Sequence, residues 1–221
     1  MIDELLSPLA PHLCCSCGKI GALLCQSCKN DIVMDQFLMC CNCNRPAGAK
    51  GLCGQCRAPY QQAWLVGWRE GGLMALIDHF KFERAKAAYK VAADLLLETI
   101  PELPAETIIV PIPTVRAHIR ERGYDHTFLV AKRIAKQRHL KLSPVLKRKT
   151  ATEQKGTDAK ERDRQAKSAF RVEGSLQPSI PYLLIDDVVT TGSTLRYGAK
   201  ALQRAGARDI WVAALAKQPL D

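Results

Sequence analysis

No apolar stretch in this 221-residue chain approaches the roughly 18–20 residues that a membrane-spanning helix requires. The opening M-I-D-E-L-L-S-P-L-A is acidic and lacks the cationic start and clean apolar run of a secretory leader, so the sequence predicts a cytoplasmic protein. Cysteine is missing beyond residue 56, and all ten thiols lie before that point. In a reducing compartment this distribution argues against a disulfide framework and for metal ligation by a separate module. No low-complexity tract interrupts the chain, and no G-x-x-x-x-G-K-[ST] is present, which excludes a P-loop. Acidic residues are scarce in one place. Residues 116–171 hold 17 Lys/Arg against 6 Asp/Glu, a net of +11, while the rest of the +10 chain sums to −1. That segment suits a phosphate-rich partner, either nucleic acid or a polyphosphorylated small molecule. Aromatics are scarce there too (Tyr124, Phe128 and Phe170), whereas single-strand binders usually present stacking platforms.

What the first segment has is four C-x-x-C pairs: Cys14/Cys17, Cys25/Cys28, Cys40/Cys43 and Cys53/Cys56. The stretch C-C-S-C-G-K-I-G-A-L-L-C-Q-S-C returns as C-C-N-C-N-R-P-A-G-A-K-G-L-C-G-Q-C, with two extra residues in its loop. A tight turn aims both sulfurs of a pair at one point, and a second pair closes a tetrahedral shell. Each copy therefore predicts one structural zinc ion, with iron–sulfur ligation or a redox C-x-x-C as the alternatives. Sequential pairing within each copy follows from the repeat; interleaved pairing is the other arrangement. Cys15 and Cys41 sit beside ligands as bystanders. A closed shell leaves no position for substrate, and a module of this size draws much of its folding free energy from the metal. We place this module at residues 1–59 and a second domain at 60–221.

Beyond Pro59 apolar strands alternate with amphipathic helices. The spacing predicts a strand over 63–69, helices over 73–82 and 85–100, and a buried β-branched strand over 107–112. A helix over 124–139 and a short strand over 142–146 follow, then a polar stretch over 148–169 that is too long for an ordinary connector. A strand over 181–185, a helix over 193–205 capped by Gly206 and a last strand over 210–216 complete the chain. This alternation predicts a parallel α/β sheet.

The strand at 181–185 runs into L-L-I-D-D-V-V-T-T-G-S-T, where Asp186 and Asp187 interrupt an aliphatic run. Both acids cannot hide unpaired in a core. Ligands of open parallel sheets sit at the carboxyl ends of strands. The turn after the acids offers Thr190, Thr191, Gly192, Ser193 and Thr194, with free N–H groups, hydroxyls and the dipole of the following helix. Two carboxylates beside a phosphate cradle suit a sugar phosphate, the acids taking its vicinal hydroxyls; direct magnesium ligation is the alternative.

L-L-I-D-D-V-V-T-T-G-S-T resembles the 5-phosphoribosyl 1-diphosphate (PRPP) signature of type I phosphoribosyltransferases. The resemblance implies that Asp186 and Asp187 bind the ribose hydroxyls and act as the catalytic acids of any transfer. It also implies that Val188 and Thr190–Thr194 enclose the 5-phosphate and that magnesium accompanies PRPP. Tandem C-x-x-C pairs, V-P-I-P at 110–113, R-E-R-G-Y at 120–124 and this signature together resemble the ComF family of competence-associated proteins, over nearly the whole chain. From that family we expect a type I phosphoribosyltransferase-like parallel sheet flanked by helices, preceded by a double zinc ribbon. The loop with Pro113, Thr114 and Arg116 would receive the diphosphate, joined by Lys81. Arg120 and Arg122 would extend a basic face, and residues 149–169 would form a lid carrying Lys155, Lys160 and Arg162. His118 and His126 are candidate acid–base groups, more simply read as bystanders. Where the family has R-G-F-N-Q, this chain has Arg122-Gly123-Tyr124-Asp125-His126, and its R-x-x-N becomes Arg162-Asp163-Arg164-Gln165.

Three functions fit these residues: PRPP binding coupled to handling of single-stranded DNA in DNA uptake, phosphoribosyl transfer to an unidentified acceptor, or PRPP sensing without turnover. The resemblance implies DNA-uptake helicase or channel proteins as partners in the first case.

Overall fold

The computed structural model of the protein describes residues 12–82, 85–148 and 169–219. Its centre is a five-stranded sheet of β1 (Gln62–Trp68), β2 (Ile108–Pro111), β3 (Lys141–Leu142), β6 (Tyr182–Val189) and β7 (Ile210–Lys217). The order is β1-β7-β6-β2-β3, with every pair parallel. Before the first strand comes α1 (Gln26–Met34), and between the strands run α2 (Gly71–Lys81), α3 (Ala88–Thr99), α4 (Arg116–Arg122), α5 (His126–Gln137) and α6 (Ser193–Arg204). Two short strands, β4 (Leu146–Arg148) and β5 (Phe170–Val172), form a separate antiparallel pair.

Both sheet faces are covered, as a parallel sheet requires. Successive strand side chains point to opposite faces, so Leu183 and Ile185 join one core with Leu76, Leu96 and Ile134 of α2, α3 and α5. Tyr182 and Leu184 join the other with Leu195, Ala199 and Leu202 of α6. From β2 the chain leaves through α5 toward β3; from β6 it leaves through α6, on the opposite face, toward β7. The sheet order therefore reverses between β2 and β6, and the crevice at their carboxyl ends is the topological switch point.

The sequence places the elements well and some boundaries less well. The expected strand over 142–146 divides: Leu142 pairs with Ile109 in the main sheet, and Leu146 pairs with Val172 in the small one. Pro144 lies between and has no N–H to continue a ladder. The strand expected to stop at Ile185 runs on to Val189 and carries both acids within it, because Asp186 and Val188 stay in register with Ala214 and Ala216. The acids lie within the strand's last turns of pleat, not beyond it. Of the polar stretch, residues 149–168 lie outside the described residues, and the lid expected there, with Lys155, Lys160 and Arg162, lies outside with them. Among the described residues no helix is long and apolar enough to cross a membrane.

The two cysteine repeats dock at opposite faces of the sheet: Cys14 and Leu24 enter the first core, and Cys41 enters the second. The second repeat also covers the open edge of β1, where the Ala63 N–H donates to the Lys50 carbonyl at 2.9 Å. Gly51 beside it has φ +63°, and a Cβ there would fall 2.0 Å from the Ala63 carbonyl oxygen. Because backbone cannot step aside, Gly51→Ala is expected to destabilise the protein by about 2–4 kcal/mol. Urea unfolding at constant m-value checks this; a change below about 0.5 kcal/mol would refute the close docking.

Candidate functional site

After Ile185 the alternation along β6 sends its two carboxylates to different faces. Asp187 turns toward α2 and α5, where Lys81 Nζ lies 2.6 Å from its Oδ2 and His126 Nε2 meets the same oxygen. Arg122 Nη1 stands 3.1 Å from His126 Nδ1. A guanidinium only donates, so Nδ1 presents its lone pair and Nε2 carries the proton given to Asp187. Burial alone would raise the Asp187 carboxyl, but the His126 hydrogen bond and the Lys81 charge hold it well below the usual carboxylate range. Asp186, 8% exposed, turns toward the α6 face. Burial, and then the neighbouring Asp187 anion, push it up to about 8. The Asp187 N–H is its nearest hydrogen-bond donor, at 2.9 Å. Adjacent carboxyls thus differ in proton affinity: one is paired and held low, the other is raised by burial and by its anionic neighbour.

The loop after β2 faces them. Thr114 Oγ1 donates to Asp125 Oδ1 at 2.9 Å, and that oxygen also accepts the Phe128 N–H at 3.0 Å, capping α5. Asp125 in place of the family's Asn therefore still caps the helix, while His126 in place of Gln supplies the contact to Asp187. Together Lys81, Pro113, Thr114, His118, Arg122, His126, Arg148, Asp186, Asp187, Val188 and Thr194 line a cleft of ≈ 240 Å³ at the switch point.

The hydroxyl turn leads into α6. Gly192 has φ +71° and precedes Ser193, and Thr191 Oγ1 lies 2.9 Å from Ser193 Oγ. The second cysteine repeat is pressed onto this turn. Tyr60 Oη donates to Asn42 Oδ1 at 2.7 Å, and a Cβ on Gly192 would lie 2.8 Å from that same oxygen. Lys217, fully buried at the end of β7, donates to the Thr190 carbonyl. Burial lowers its pKa, opposed by the sulfurs of Cys41, Cys40 and Cys43. Gly192→Ala meets both the left-handed backbone penalty and the Asn42 contact. We expect it to cost about 1–2 kcal/mol and to displace the turn; an unchanged melting temperature would contradict this packing.

The cysteine groupings are the sequential ones. Cys14, Cys17, Cys25 and Cys28 form one group and Cys40, Cys43, Cys53 and Cys56 the other, all Sγ atoms within 4.8 Å of one another in each. Cys17 and Cys25 Sγ are 3.6 Å apart, and Cys43 and Cys53 Sγ 3.5 Å. A zinc tetrahedron with bonds of about 2.3 Å has edges of about 3.8 Å, so both clusters fit such an ion. Against the penalty of burial, N–H donors from Cys25, Cys17 and Ser16 lower the Cys14 thiol to about 6, and the Gln55 N–H is the main cause of the fall of Cys53 to about 6. Cys41 is fully buried, with Tyr60 Oη 3.9 Å from its sulfur.

Of the residues singled out in the sequence, Asp186, Asp187, Val188, Thr194, Pro113, Thr114, Lys81 and Arg122 converge on the cleft. Arg116 and Arg120, exposed on α4, and Thr190, Thr191, Gly192 and Ser193, at the turn into α6, stand outside its lining. Sequence reasoning set His126 aside and gave no role to Arg148, Asn42, Tyr60 or Lys217. His126 alone carried a signal, since it occupies a position where the family pattern has a polar residue.

The parallel sheet, its switch point and the acid pair before a hydroxyl turn define a type I phosphoribosyltransferase-like α/β fold, here joined to two four-cysteine clusters. No family model matches the chain. It is 33% identical to DNA utilization protein YhgH of Escherichia coli O157:H7, over 91% of this chain and 95% of that protein. It is 27% identical to competence protein F of Haemophilus influenzae over 87% of this chain and 96% of that protein. To competence protein ComFC of Bacillus subtilis it is 22% identical, over 83% and 79%. The chain belongs to the ComF family.

Proposed function

We propose that this protein binds PRPP with magnesium in the switch-point cleft and single-stranded DNA on its basic face, and that it serves competence and the use of incoming DNA. The observation that carries this reading is the pairing of two unequal carboxyls on β6 with a hydroxyl turn that opens α6. The turn offers N–H and hydroxyl donors at a helix N-terminus for the 5-phosphate. The carboxyls stand where vicinal ribose hydroxyls would be met. Lys81, Arg122 and Arg148 line the same cleft and suit a diphosphate. Magnesium, when bound with PRPP, would neutralise that diphosphate. Zinc in the two cysteine clusters would hold the module of residues 1–59 in place. The DNA role is supported by the relatives named for competence and DNA utilization and by the basic excess of residues 116–171.

Calorimetric titration of PRPP with magnesium tests the cleft. Saturable binding is expected, and its absence would leave the fold as a scaffold only. Fluorescence anisotropy of a labelled single strand tests the DNA half. Affinity should fall steeply with salt, and Arg116→Ala with Arg120→Ala should flatten the log–log slope by about 1–2. A salt-independent signal, or a slope untouched by the double change, would contradict this assignment.

A further inference from the structure

Two large apolar side chains stay exposed beside the cleft: Phe82 at 68% and Val115 at 39%. The next aromatic upstream shows the contrast. Phe80, at 2%, is stacked on Tyr124 with centroids 5.6 Å apart. Phe82 caps α2, its N–H donating to the Asp78 carbonyl at 2.8 Å, and its ring stands exposed at the helix end. Its surroundings are cationic. The Arg122 guanidinium carbon lies 5.9 Å from the ring centroid. Lys81, the preceding residue, holds Asp187 at 2.6 Å, and Arg122 reaches the same acid through His126. The ring is thus tied by two short side-chain paths to the carboxylate at the heart of the cleft. Arg116 and Arg120 extend the positive rim along α4, where Glu121 lies 3.6 Å from His118.

We propose that Phe82 and Arg122 form a stacking platform for an unstacked nucleobase at the mouth of the cleft. An exposed ring with a guanidinium beside it offers a base a π-face and a planar cation, which serve any base sequence. The flanking arginines suit the phosphate that a nucleotide carries. A purely apolar partner would desolvate the exposed arginines of this rim, whereas a nucleotide satisfies both halves. The base comes either from a DNA strand or from a free base or nucleoside entering beside PRPP. The second source rests on the PRPP reading of the cleft; the first does not.

The experiment uses full-length protein as wild type, Phe82→Ala and Phe82→Trp. Labelled oligothymidylate and an abasic strand of equal length are titrated by anisotropy at one salt concentration, and free nucleobases and nucleosides are titrated with PRPP present. Stacking is worth about 1–3 kcal/mol per base, so Phe82→Ala should weaken the base-bearing ligand by about 5- to 150-fold and leave the abasic strand unaffected. Phe82→Trp should retain binding, with its indole fluorescence quenched by the stacked base. Quenching by the oligonucleotide identifies a strand; quenching by the free base only with PRPP present identifies an acceptor. Unchanged affinity of Phe82→Ala for every base-bearing ligand overturns the proposal, as does wild-type protein that binds none of them. The PRPP titration of wild type separates the two readings. A Phe82-dependent strand signal without PRPP binding would sink the cleft assignment and leave the platform standing. PRPP binding with a Phe82-independent signal would do the reverse.

Discussion

Asp186→Asn combined with Asp187→Asn is expected to lower PRPP affinity at least about tenfold, because even one hydrogen bond to the anionic Asp187 contributes roughly 1.5–3 kcal/mol. Calorimetry with magnesium measures it, and wild-type affinity in the double variant would refute a role for the acids in ribose recognition. The single variants should separate, since the two carboxyls differ in environment. Asp186 is raised in the fold to about 8, mainly by burial. Between its ordinary pKa and that value, the folded protein holds a proton the unfolded chain has released. Its effect on stability is therefore unfavourable as pH rises from about 4 to about 8, and level above. Asn at this position mimics the protonated acid, so ligand-free Asp186→Asn should be more stable than wild type at pH 8. The gap should be on the order of a few kcal/mol and close toward pH 4. Asp187 behaves in the opposite sense. Its carboxyl is held low by His126 and Lys81, so its contribution is present at neutral pH and is lost as pH falls below the ordinary carboxylate range. Asp187→Asn should destabilise at pH 7, leaving Lys81 without its anion. Thermal melts of both variants from pH 4 to 9 give the result. Parallel curves for the two would show that the acids are equivalent after all.

Breaking the second cysteine cluster should cost PRPP binding more than breaking the first. Cys53→Ser and Cys25→Ser each remove one thiolate, and each should lower the melting temperature by about 10 °C, as expected when several kcal/mol of metal-linked folding energy are lost. Among the described residues, only the second repeat meets the hydroxyl turn, through Asn42 on Gly192; Lys217 of β7, which feels the sulfurs of Cys41, Cys40 and Cys43, donates to the Thr190 carbonyl. Cys53→Ser should therefore weaken PRPP by about tenfold below its unfolding temperature, while Cys25→Ser should leave it within about twofold. Lys217→Met keeps most of the side-chain length but removes the donor to the Thr190 carbonyl, and should reproduce the Cys53→Ser effect with both clusters intact. Equal losses from the two cysteine changes would mean that the metal acts on global stability alone.

The alternation of strand and helix was legible because β6 and β7 are aliphatic on both faces and α2 keeps its apolar residues at helical spacing. Leu73, Leu76, Ile77 and Phe80 are all buried as that spacing requires. The cysteine groups were legible because a repeat states its own pairing, and the sulfurs of each copy do converge. Boundaries were less so. Leu142–Leu146 looked like one strand until Pro144 divided it between two sheets. The acids looked like a strand's end because charge normally leaves a core, but β7 keeps Asp186 in register with Ala214.

By itself the sequence determined the fold class, the two cysteine clusters, the acid pair and the hydroxyl turn, for each is written in consecutive residues or at a short fixed spacing. Only the tertiary structure decided what surrounds them. His126 reaches Asp187 across 61 positions of chain, and Asn42 and Lys217 arrive at the hydroxyl turn from the cysteine module and the last strand. Phe82 stands beside Arg122 because α2 and α4 end at the same mouth. These meetings depend on the strand order and the crossovers, and no local pattern encodes them. Burial and neighbouring charge, which the fold alone assigns, then make two identical carboxyls chemically different.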